Sequence, residues 1–491
     1  MRQKSWLAGL SMLAALLGSE HANAIDPFFP EFGNEGYDVR DYNLTLDVDP
    51  AANRLTGFAA ISVVATARLS RVVFDLAGLN VRSVRVNGAV AGFDHDGAKL
   101  RIRLPAPIAA GGAFDIAVSY AGSPEPVEDP TAPGLDILGL GWIGFDRNTY
   151  VVSEPVGAAN WFPVNDVPTD KATYRFSVTV PKPYTAVASG ILVSTTDLGQ
   201  DRRFVWRQQQ PMASYLAIVD VARYRTQITR ARNNLPLRFY TTPATPPETL
   251  ASFSRTADML AYFERFAGPY PFNSYGSVIV DDPELYYALE TQAMSTFPSA
   301  YRIGESTVAH ELAHQWFGNA VTVERWADLW LAEGFATYFE YIWEFRSDRA
   351  GLDAAFRELY DCTLADGVGP AVVSQPEDIF SASTYDRGAL TLQALRLRVG
   401  DAVFFRTLKA FYQTYRYRNA GSQDFIDVAV RQSGQPAVRT MLNAWLYEAP
   451  LPPLGSYRGG ECGDGAAAAK VAASAHDITR RYHAPRNASR N

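Results

Sequence analysis

The sequence predicts a multidomain α+β protein, in which an all-β domain comes first and a mainly α-helical domain follows. Three observations support this prediction. Apolar and polar residues alternate in the first half of the chain, apolar residues recur with helical spacing in the second half, and 491 residues suffice for two to four domains. The composition is that of an ordinary globular protein, because 47% of the residues are apolar and 20% are charged.

The charge of the chain is mildly acidic. It has 45 basic and 52 acidic residues, a formal charge of −7, without a cluster of Lys and Arg. Nucleic acids and anionic membrane surfaces attract basic patches, so we expect neither as the principal partner. We also expect no stable membrane span, because spanning requires about 20 apolar residues and no stretch of this sequence is that long. The sequence specifies no oligomeric state.

Residues 1–24 have the pattern of a secretory signal peptide. A basic stub of four residues precedes a short apolar run at 6–17, and the small-x-small sequence at 22–24 is typical of a cleavage site. We therefore expect a mature protein that begins at Ile25 and is secreted or periplasmic.

Residues 25–224 are predicted to form the all-β domain. Gly- and Pro-containing turns, such as Asn87-Gly88, separate short segments of period-two alternation. The apolar positions of four such segments are Tyr42, Leu44, Leu46 and Val48; Leu100, Ile102 and Leu104; Phe114, Ile116 and Val118; and Phe176, Val178 and Val180.

Residues 225–454 are predicted to be mainly helical. A helical stretch follows Pro246-Pro247 and continues through Phe266, and the segments 390–399 and 402–415 carry apolar faces of helical period.

The last 37 residues, 455–491, are expected to form a flexible tail, because they are rich in Gly, Ala and Ser and poor in apolar residues. The two cysteines of the chain are Cys362, in the helical half, and Cys462, in this tail. The sequence leaves open whether they form a disulfide or remain free thiols.

The segment His310-Glu311-Leu312-Ala313-His314 is an H-E-x-x-H motif. Residues four apart on a helix are separated by about 40°, so both imidazoles project from one face and can share a metal ion. Glu311 lies at the edge of that face, near enough to reach a water on the metal without being a ligand. Because the chain has only six His, a chance match is expected well below about one time in a hundred.

A catalytic zinc site needs a third protein ligand. Eighteen residues after His314 comes Glu333, in a second helical segment that spans Trp330 to Tyr338. For this segment Asp328 is either the N-cap or an acceptor that orients one of the histidines. Two histidines and one glutamate suit a single Zn²⁺. The metzincin pattern is excluded, since it requires a histidine where this chain has Ala320.

The sequence resembles the M1 zinc aminopeptidases of the gluzincin clan over roughly residues 37–454. The resemblance rests on the segments His310-Glu-Leu-Ala-His-Gln-Trp-Phe-Gly-Asn319, Trp330-Leu-Ala-Glu-Gly-Phe-Ala336, Tyr385-Asp-Arg-Gly-Ala389, Ala288-Leu-Glu-Thr-Gln292 and Ser153-Glu154-Pro155. It implies an N-terminal β-sheet saddle domain, a thermolysin-like zincin catalytic domain, one zinc ion per chain and peptide substrates.

The resemblance also implies roles for individual residues. Glu311 would take a proton from the attacking water and deliver it to the departing amine. Tyr385 would stabilise the tetrahedral intermediate. Glu290, assisted by Glu154, would bind the free α-amino group of the substrate. The function so implied is that of a zinc-dependent aminopeptidase, a peptide hydrolase.

Two alternatives to this function remain open, a thermolysin-type endopeptidase and a catalytically inactive zincin-like binding module. Many family members continue into a large α-helical domain that covers the active site. The residues after 454 are too few and too polar for such a domain, so we expect a short form with a more open site. The preferred first side chain of the substrate is not specified by the sequence.

Overall fold

The computed structural model describes residues 25–134, 138–300 and 302–463. The predicted signal peptide, residues 1–24, therefore lies outside the described residues, as does the predicted tail from residue 464 onward. Within the described ranges, no helix combines the length and the apolar character needed to cross a bilayer.

The N-terminal domain is built of β-strands, as the alternation predicts. The apolar positions of the four predicted segments are buried in β1, β7, β8 and β11. The strands described are β1 (Tyr37–Asp49), β2 (Arg54–Ala65), β3 (Leu69–Asp75), β4 (Asn80–Val86), β5 (Ala89–Val90), β6 (Phe93–His95), β7 (Lys99–Ile108), β8 (Ala113–Gly122), β9 (Gly141–Phe145), β10 (Asn148–Val152), β11 (Ala172–Pro181), β12 (Thr185–Ala188), β13 (Ile191–Leu198), β14 (Asp201–Met212) and β15 (Val219–Ala222).

These strands form three sheets among the described residues. The largest has eight strands in the order β13-β14-β11-β1-β2-β8-β4-β5, and β1 pairs parallel with β11 and antiparallel with β2. The second has the order β12-β15-β10-β9, and the third the order β3-β7-β6. The second sheet positions part of the candidate site, because Glu154 follows two residues after the end of β10.

The catalytic domain combines helices with a sheet that the sequence did not predict. Strands β16 (Arg225–Arg230), β17 (Pro236–Thr241), β18 (Tyr275–Val280) and β19 (Ser295–Pro298) form this sheet, and β20 (Val321–Val323) pairs with β21 (Arg418–Ala420). The helices described are α1 (Pro247–Ser254), α2 (Thr256–Ala267), α3 (Glu305–Ala313), α4 (Glu333–Glu344), α5 (Arg349–Ala365), α6 (Gly388–Val399), α7 (Asp401–Tyr415), α8 (Ser422–Ser433) and α9 (Ala437–Tyr447).

The predicted helical segments fall where helices are found. The stretch after Pro246-Pro247 forms α1 and α2, and Pro247 begins α1 at a position where its missing N–H costs nothing. The segments at 390–399 and 402–415 lie in α6 and α7.

The two domains share one continuous apolar core and are also joined by polar contacts. Lys171, which immediately precedes β11, donates from its Nζ to the Asn319 carbonyl at 2.9 Å and to Thr322 Oγ1 at 2.8 Å. The Trp326 amide donates to Asp26 Oδ2 at 2.8 Å. The N-terminal domain is thereby fixed directly to the segment that follows the H-E-x-x-H motif.

The first nine residues of the tail, 455–463, are attached to helix α5, whereas the sequence predicted a flexible tail. Tyr457 Oη donates to Asp361 Oδ2 at 2.7 Å, and the Gly460 amide donates to Asp361 Oδ1 at 2.8 Å. Cys462 forms a disulfide with Cys362, with an S–S distance of 1.96 Å. A composition poor in apolar residues did not reveal this attachment, because it depends on a few specific contacts with α5 rather than on a buried face.

Replacing both cysteines of the disulfide by serine should destabilise the catalytic domain. The bridge joins residues 100 positions apart, and a cross-link of that span restricts the unfolded chain strongly. We expect a loss of about 2–5 kcal/mol in the free energy of unfolding, measured by urea unfolding followed by circular dichroism. Reductant should lower the stability of the parent to that of the variant and leave the variant unchanged. Equal midpoints for the oxidised parent and the variant would contradict the prediction.

Candidate active site

The H-E-x-x-H motif occupies the end of α3. His310 lies within the helix and His314 is its C-terminal cap, and their ring centroids are 4.8 Å apart. Both side chains are buried, with 3% and 1% of their surface exposed. The helical spacing therefore brings the two imidazoles together in the interior, as the sequence predicts.

Aromatic packing brings α4 against the end of α3. The ring of Phe317, three residues after the motif, lies 4.5 Å from the ring of Phe335 and 5.6 Å from that of Phe339, measured between centroids. These contacts are buried and place Glu333, the first residue of α4, opposite the two histidines.

The three predicted metal ligands converge on one point. Glu333 Oε2 lies 3.2 Å from His310 Nε2 and 3.3 Å from His314 Nε2, and all three ligand atoms lie within 4.8 Å of one another. Ligands about 2.0–2.1 Å from a tetrahedral zinc ion are separated by about 3.3 Å, so this spacing fits zinc. The donor set, two imidazole nitrogens and one carboxylate oxygen, fits it as well.

Each histidine has a partner on its other ring nitrogen. His310 Nδ1 lies 3.3 Å from Glu340 Oε2, and His314 Nδ1 lies 3.2 Å from the Phe317 carbonyl. With hydrogen on Nδ1, both rings donate to these oxygens and direct Nε2 toward the metal position. The sequence reasoning missed Glu340. Its spacing of seven residues from Glu333, which places both on one face of α4, is the signal that could have identified it.

The two roles considered for Asp328 are both wrong. The residue before α4 is Ala332, and Asp328 lies instead within a 3₁₀ helix at Trp326–Leu331. Its carboxylate accepts from Ser422 Oγ and pairs with Arg325 at 2.7 Å. The chain makes an additional turn between Asp328 and the ligand, so the acid supports α8 rather than a histidine.

Opposite charges in the ligand set shift its pKa values in opposite directions. Burial would raise the pKa of Glu333, but His314 and His310 lower it to about 2. Burial would lower the pKa of His310, but hydrogen bonds to Glu333 and Glu340 raise it well above the usual value. The surroundings of the histidines are therefore strongly negative, as a cation site requires.

Two further carboxylates lie beside the ligands. Glu154 comes from the N-terminal domain and Glu290 from the segment between β18 and β19, and their oxygens and those of Glu333 lie within 4.8 Å of one another. Both are buried, at 7% and 2% exposure, and Oε1 of each has no hydrogen-bond partner among the described residues. Burial raises the pKa of both, and the neighbouring carboxylates raise that of Glu154 further. A cationic group between them would relieve this repulsion.

The residues that follow the motif hold Glu290 in place. Gln315 Nε2 and Asn319 Nδ2 both donate to the Glu290 carbonyl, at 3.0 and 2.6 Å, and Gln315 Oε1 accepts from the Ala293 amide at 2.8 Å. Neither was assigned a role from the sequence. Both belong to the segment His310–Asn319, on which the family resemblance partly rests. Their contacts with residue 290 give a structural role to the part of that segment that follows the metal ligands.

Glu311 projects toward the same space without joining the ligand set. Ligand atoms of Glu311, Glu290 and His314 lie within 4.8 Å of one another. The side chain is buried, at 2% exposure, and burial raises its pKa to about 8 although His310 and His314 lower it.

Tyr385 lies in a π-helical turn, Ser383–Arg387, that leads into α6. Its ring stacks on that of His310 with a centroid distance of 6.2 Å and an interplanar angle of 19°. Two glycines permit this approach, because a Cβ at Gly334 would lie 2.7 Å from the Cα of Gly388. The close crossing of α4 and α6 brings the tyrosine to the side of the ligand set.

One pocket joins the seven predicted site residues. It is lined by His310, Glu311, His314, Glu333, Glu154, Glu290 and Tyr385. Its remaining walls include aromatic and aliphatic side chains, among them Tyr287 and Phe380, to which the sequence analysis assigned no role.

A buried H-E-x-x-H helix with a glutamate from the next helix defines the class of the thermolysin-like zinc metallopeptidases. The comparisons with known families agree. Residues 252–445 match the family model described as Peptidase family M1 domain, and residues 143–216 match the Peptidase M1 N-terminal domain. The two matches span more than half of the sequence, and the chain belongs to peptidase family M1. The family implies one catalytic zinc ion, for which His310, His314 and Glu333 are the fitting ligands.

Solved structures of this family have the same two-domain architecture. An M1 zinc metallopeptidase from Deinococcus radiodurans aligns with a TM-score of 0.81 and 33% identity, over 88% of this chain and 99% of that one. A mutant M1 zinc metallopeptidase from that organism, bound to a Tyr-Ser-Ala substrate, gives the same values. The mostly β N-terminal domain and the helical catalytic domain thus confirm the predicted fold class.

The curated relatives that this chain matches are longer than the chain itself. Rat glutamyl aminopeptidase is 27% identical over 350 residues, which cover 63% of this chain and 36% of that protein. Aminopeptidase M1-D of rice is 29% identical over 328 residues, which cover 62% of this chain and 37% of that protein. The chain therefore spans little more than a third of the length of these relatives.

Proposed function

We propose that the protein is a zinc-dependent aminopeptidase that removes single residues from peptides with a free α-amino group. The observation that carries the proposal is the pair of buried carboxylates Glu154 and Glu290. One oxygen of each has no hydrogen-bond partner among the described residues, and the pair lies within 4.8 Å of Glu333. A free ammonium group is the part of a peptide that such a pair recognises, through charge-assisted hydrogen bonds.

The place of this pair determines the register of the substrate. An ammonium held between Glu154 and Glu290 lies one residue from the position where His310 and His314 converge. The first peptide bond is then the one presented to the catalytic groups, and bonds further along the chain are not. An acetylated N-terminus is neutral and would leave both buried carboxylates without a cationic partner. The arrangement therefore favours an exopeptidase over an endopeptidase.

Zinc, when bound, supplies a Lewis acid that polarises the scissile carbonyl and lowers the pKa of water. Glu311 accepts a proton from the attacking water and passes it to the departing amine. Burial raises its pKa to about 8, and bound zinc would lower that pKa again, toward the range in which one carboxyl group can both accept and release a proton.

Tyr385 donates a hydrogen bond from its phenol to the oxyanion that forms on the scissile carbonyl. Burial and then the surrounding carboxylates, Glu333 foremost, raise its pKa well above the usual value, so the hydroxyl keeps its proton. A donor fixed by a turn and by stacking on His310 needs little reorganisation as the charge develops.

The test of this proposal is hydrolysis by the purified, zinc-loaded protein. L-leucine p-nitroanilide and a Leu-Ala-Ala peptide should be cleaved, with release of free leucine detected by mass spectrometry, and N-acetylated versions of both should be inert. Cleavage of the acetylated peptide would favour a thermolysin-type endopeptidase instead. Absence of any hydrolysis would favour a binding module and overturn the proposal.

We further propose that the protein acts outside the cytoplasm, either secreted or in a periplasm. The leader-like pattern of residues 1–24 supports this location, and the Cys362–Cys462 disulfide is of the kind that persists in oxidising compartments. Expression of the full-length chain in a bacterial host followed by fractionation should place the protein in the periplasm or medium. N-terminal sequencing should find Ile25 first, and a cytoplasmic protein that retains Met1 would overturn the proposal.

A further inference from the structure

The pocket beside the ammonium-binding pair has an apolar wall contributed by both domains. Leu140 comes from the N-terminal domain, and Tyr286, Tyr287, Leu289 and Phe380 come from the catalytic domain. This wall lines the same pocket as Glu154 and Glu290.

The wall is backed by packed side chains and is therefore firm. Leu289 belongs to a small apolar cluster with Ile143, Tyr150, Val152, Val280 and Leu285, and Tyr287 packs against this cluster. Tyr286 and Tyr287 meet edge to face, with ring centroids 5.2 Å apart. Such a surface gains free energy when an apolar side chain displaces water from it.

The pocket is lined by acidic side chains and lacks basic ones among the described residues. Its acids are Asp129, Glu154, Glu290, Glu311 and Glu333, and among the described residues that line it there is no Lys or Arg. Its two histidines are the metal ligands. A carboxylate on the substrate's first side chain would leave water and enter this acidic surrounding without a protein cation to pair with, which is costly.

We propose that this chain prefers an apolar first residue and discriminates against an acidic one, although several of its curated relatives are named glutamyl aminopeptidase. The inference rests on the proposed function, since it assumes that the substrate's amino group lies between Glu154 and Glu290.

The first experiment compares kcat/KM for the p-nitroanilides of L-phenylalanine, L-leucine and L-glutamate. The apolar substrates should be preferred by about 100-fold or more. In a second experiment, calorimetry measures the binding of free L-phenylalanine and free L-glutamate to the zinc-loaded Glu311→Gln variant, where turnover plays no part. Equal or better values for glutamate in either experiment would overturn the inference.

The two experiments separate this inference from the proposed function. If no amide is cleaved but phenylalanine binds and glutamate does not, the aminopeptidase proposal fails and the preference stands. If neither amino acid binds and no amide is cleaved, both are overturned. Tyr287→Arg, which adds a cation at a half-buried position of the wall, should raise the ratio of glutamate to leucine turnover at least about tenfold. Tyr287→Gln, which removes the ring without adding charge, is its matched control and should not raise that ratio.

A second, independent observation concerns Arg387, the last residue of the turn that carries Tyr385. Its side chain is fully buried, and among the described residues its guanidinium donates to backbone carbonyls alone. These are the carbonyls of Trp445 at 2.9 Å, Ala449 at 3.0 Å, Val368 and Ala444 at 3.2 Å, Pro450 at 3.5 Å, and Glu448. Most of these carbonyls lie at the C-terminal end of α9, where a cation is favoured by the helix dipole. The charge therefore joins the end of α9 to the π-helical turn.

We infer that Arg387 is a positioning residue. By anchoring the end of the π-helical turn, it holds Tyr385, two positions earlier in the same turn, in place. Arg387→Lys keeps the charge but loses the planar fork, so it cannot reach carbonyls in several directions at once. We expect kcat to fall about tenfold with KM changed less than twofold. Arg396→Lys is the matched control, because Arg396 is a buried arginine of α6 that bonds Asp401 and Tyr338 away from the site. It should lower the thermal midpoint and leave kcat unchanged.

A double-mutant cycle with Tyr385→Phe distinguishes positioning from a general structural role. If Arg387 acts through the phenol, Arg387→Lys should lower kcat little further once the hydroxyl is absent. Full additivity of the two effects would overturn the inference. Should Arg387→Lys fail to fold, Pro450→Gly loosens the exposed segment that supplies some of the acceptors. Pro450→Gly should lower kcat when Tyr385 is present. It should have little effect on kcat when Tyr385 is already replaced by Phe. An unchanged kcat in the single variant would overturn the inference.

Discussion

Glu311→Gln should bind zinc with the stoichiometry of the parent and lose nearly all turnover. The substitution preserves the size of the side chain and spares His310, His314 and Glu333, so the ligand set remains complete. It removes the proton acceptor, and general acid–base groups contribute about 10²–10⁴-fold to rate. We therefore expect kcat on L-leucine p-nitroanilide to fall by about that factor, measured beside zinc content by mass spectrometry.

Glu305→Gln is the matched control for this prediction. Glu305 lies on the same helix, α3, but in its first turn, partly exposed and bonded to Trp343 Nε1 at 3.2 Å. Its variant should retain both zinc and turnover. A Glu311→Gln protein with parental kcat would show that another group moves the proton, and one without zinc would show that Glu311 also supports the metal.

Glu290→Ala should lower kcat/KM for substrates with a free α-amino group by a large factor. The substitution leaves the substrate ammonium buried with only Glu154 as a partner, and an unpaired buried charge costs about 2–5 kcal/mol. At about 1.4 kcal/mol for each factor of ten, this cost corresponds to a fall in kcat/KM of roughly 30-fold to 4,000-fold. The measurement is the initial rate on L-leucine p-nitroanilide below KM.

The control for Glu290→Ala is Glu284→Ala, which removes an exposed acid from the same segment. It should behave as the parent does. The backbone contacts of Gln315 and Asn319 to residue 290 do not need its side chain, so zinc content and thermal midpoint should change little in the Glu290→Ala variant. A variant with parental kcat/KM would remove Glu290 from the ammonium site and weaken the aminopeptidase proposal directly.

The fold was predictable where local patterns are strong. The alternation at Tyr42, Leu44 and Leu46 marks β1 because a strand with one buried face must alternate. The sheet of the catalytic domain was missed for the opposite reason. Every residue of β18, Tyr275–Val280, is buried, so the strand shows no alternation and cannot be told from a buried helical segment.

The sequence by itself determined that His310 and His314 can share a metal ion, because helical geometry places them on one face whatever surrounds them. Its motifs also identified Glu311 and Glu333 as candidates for the same site. Only the tertiary structure decided the partners of those residues. Several contacts join segments far apart in the chain. They are the contact of Glu340 with His310, the hydrogen bond from Gln315 to the Glu290 carbonyl, the Cys362–Cys462 disulfide and the apolar wall that includes Tyr287. Such contacts arise from the packing of helices and sheets, whose relative placement no local pattern encodes.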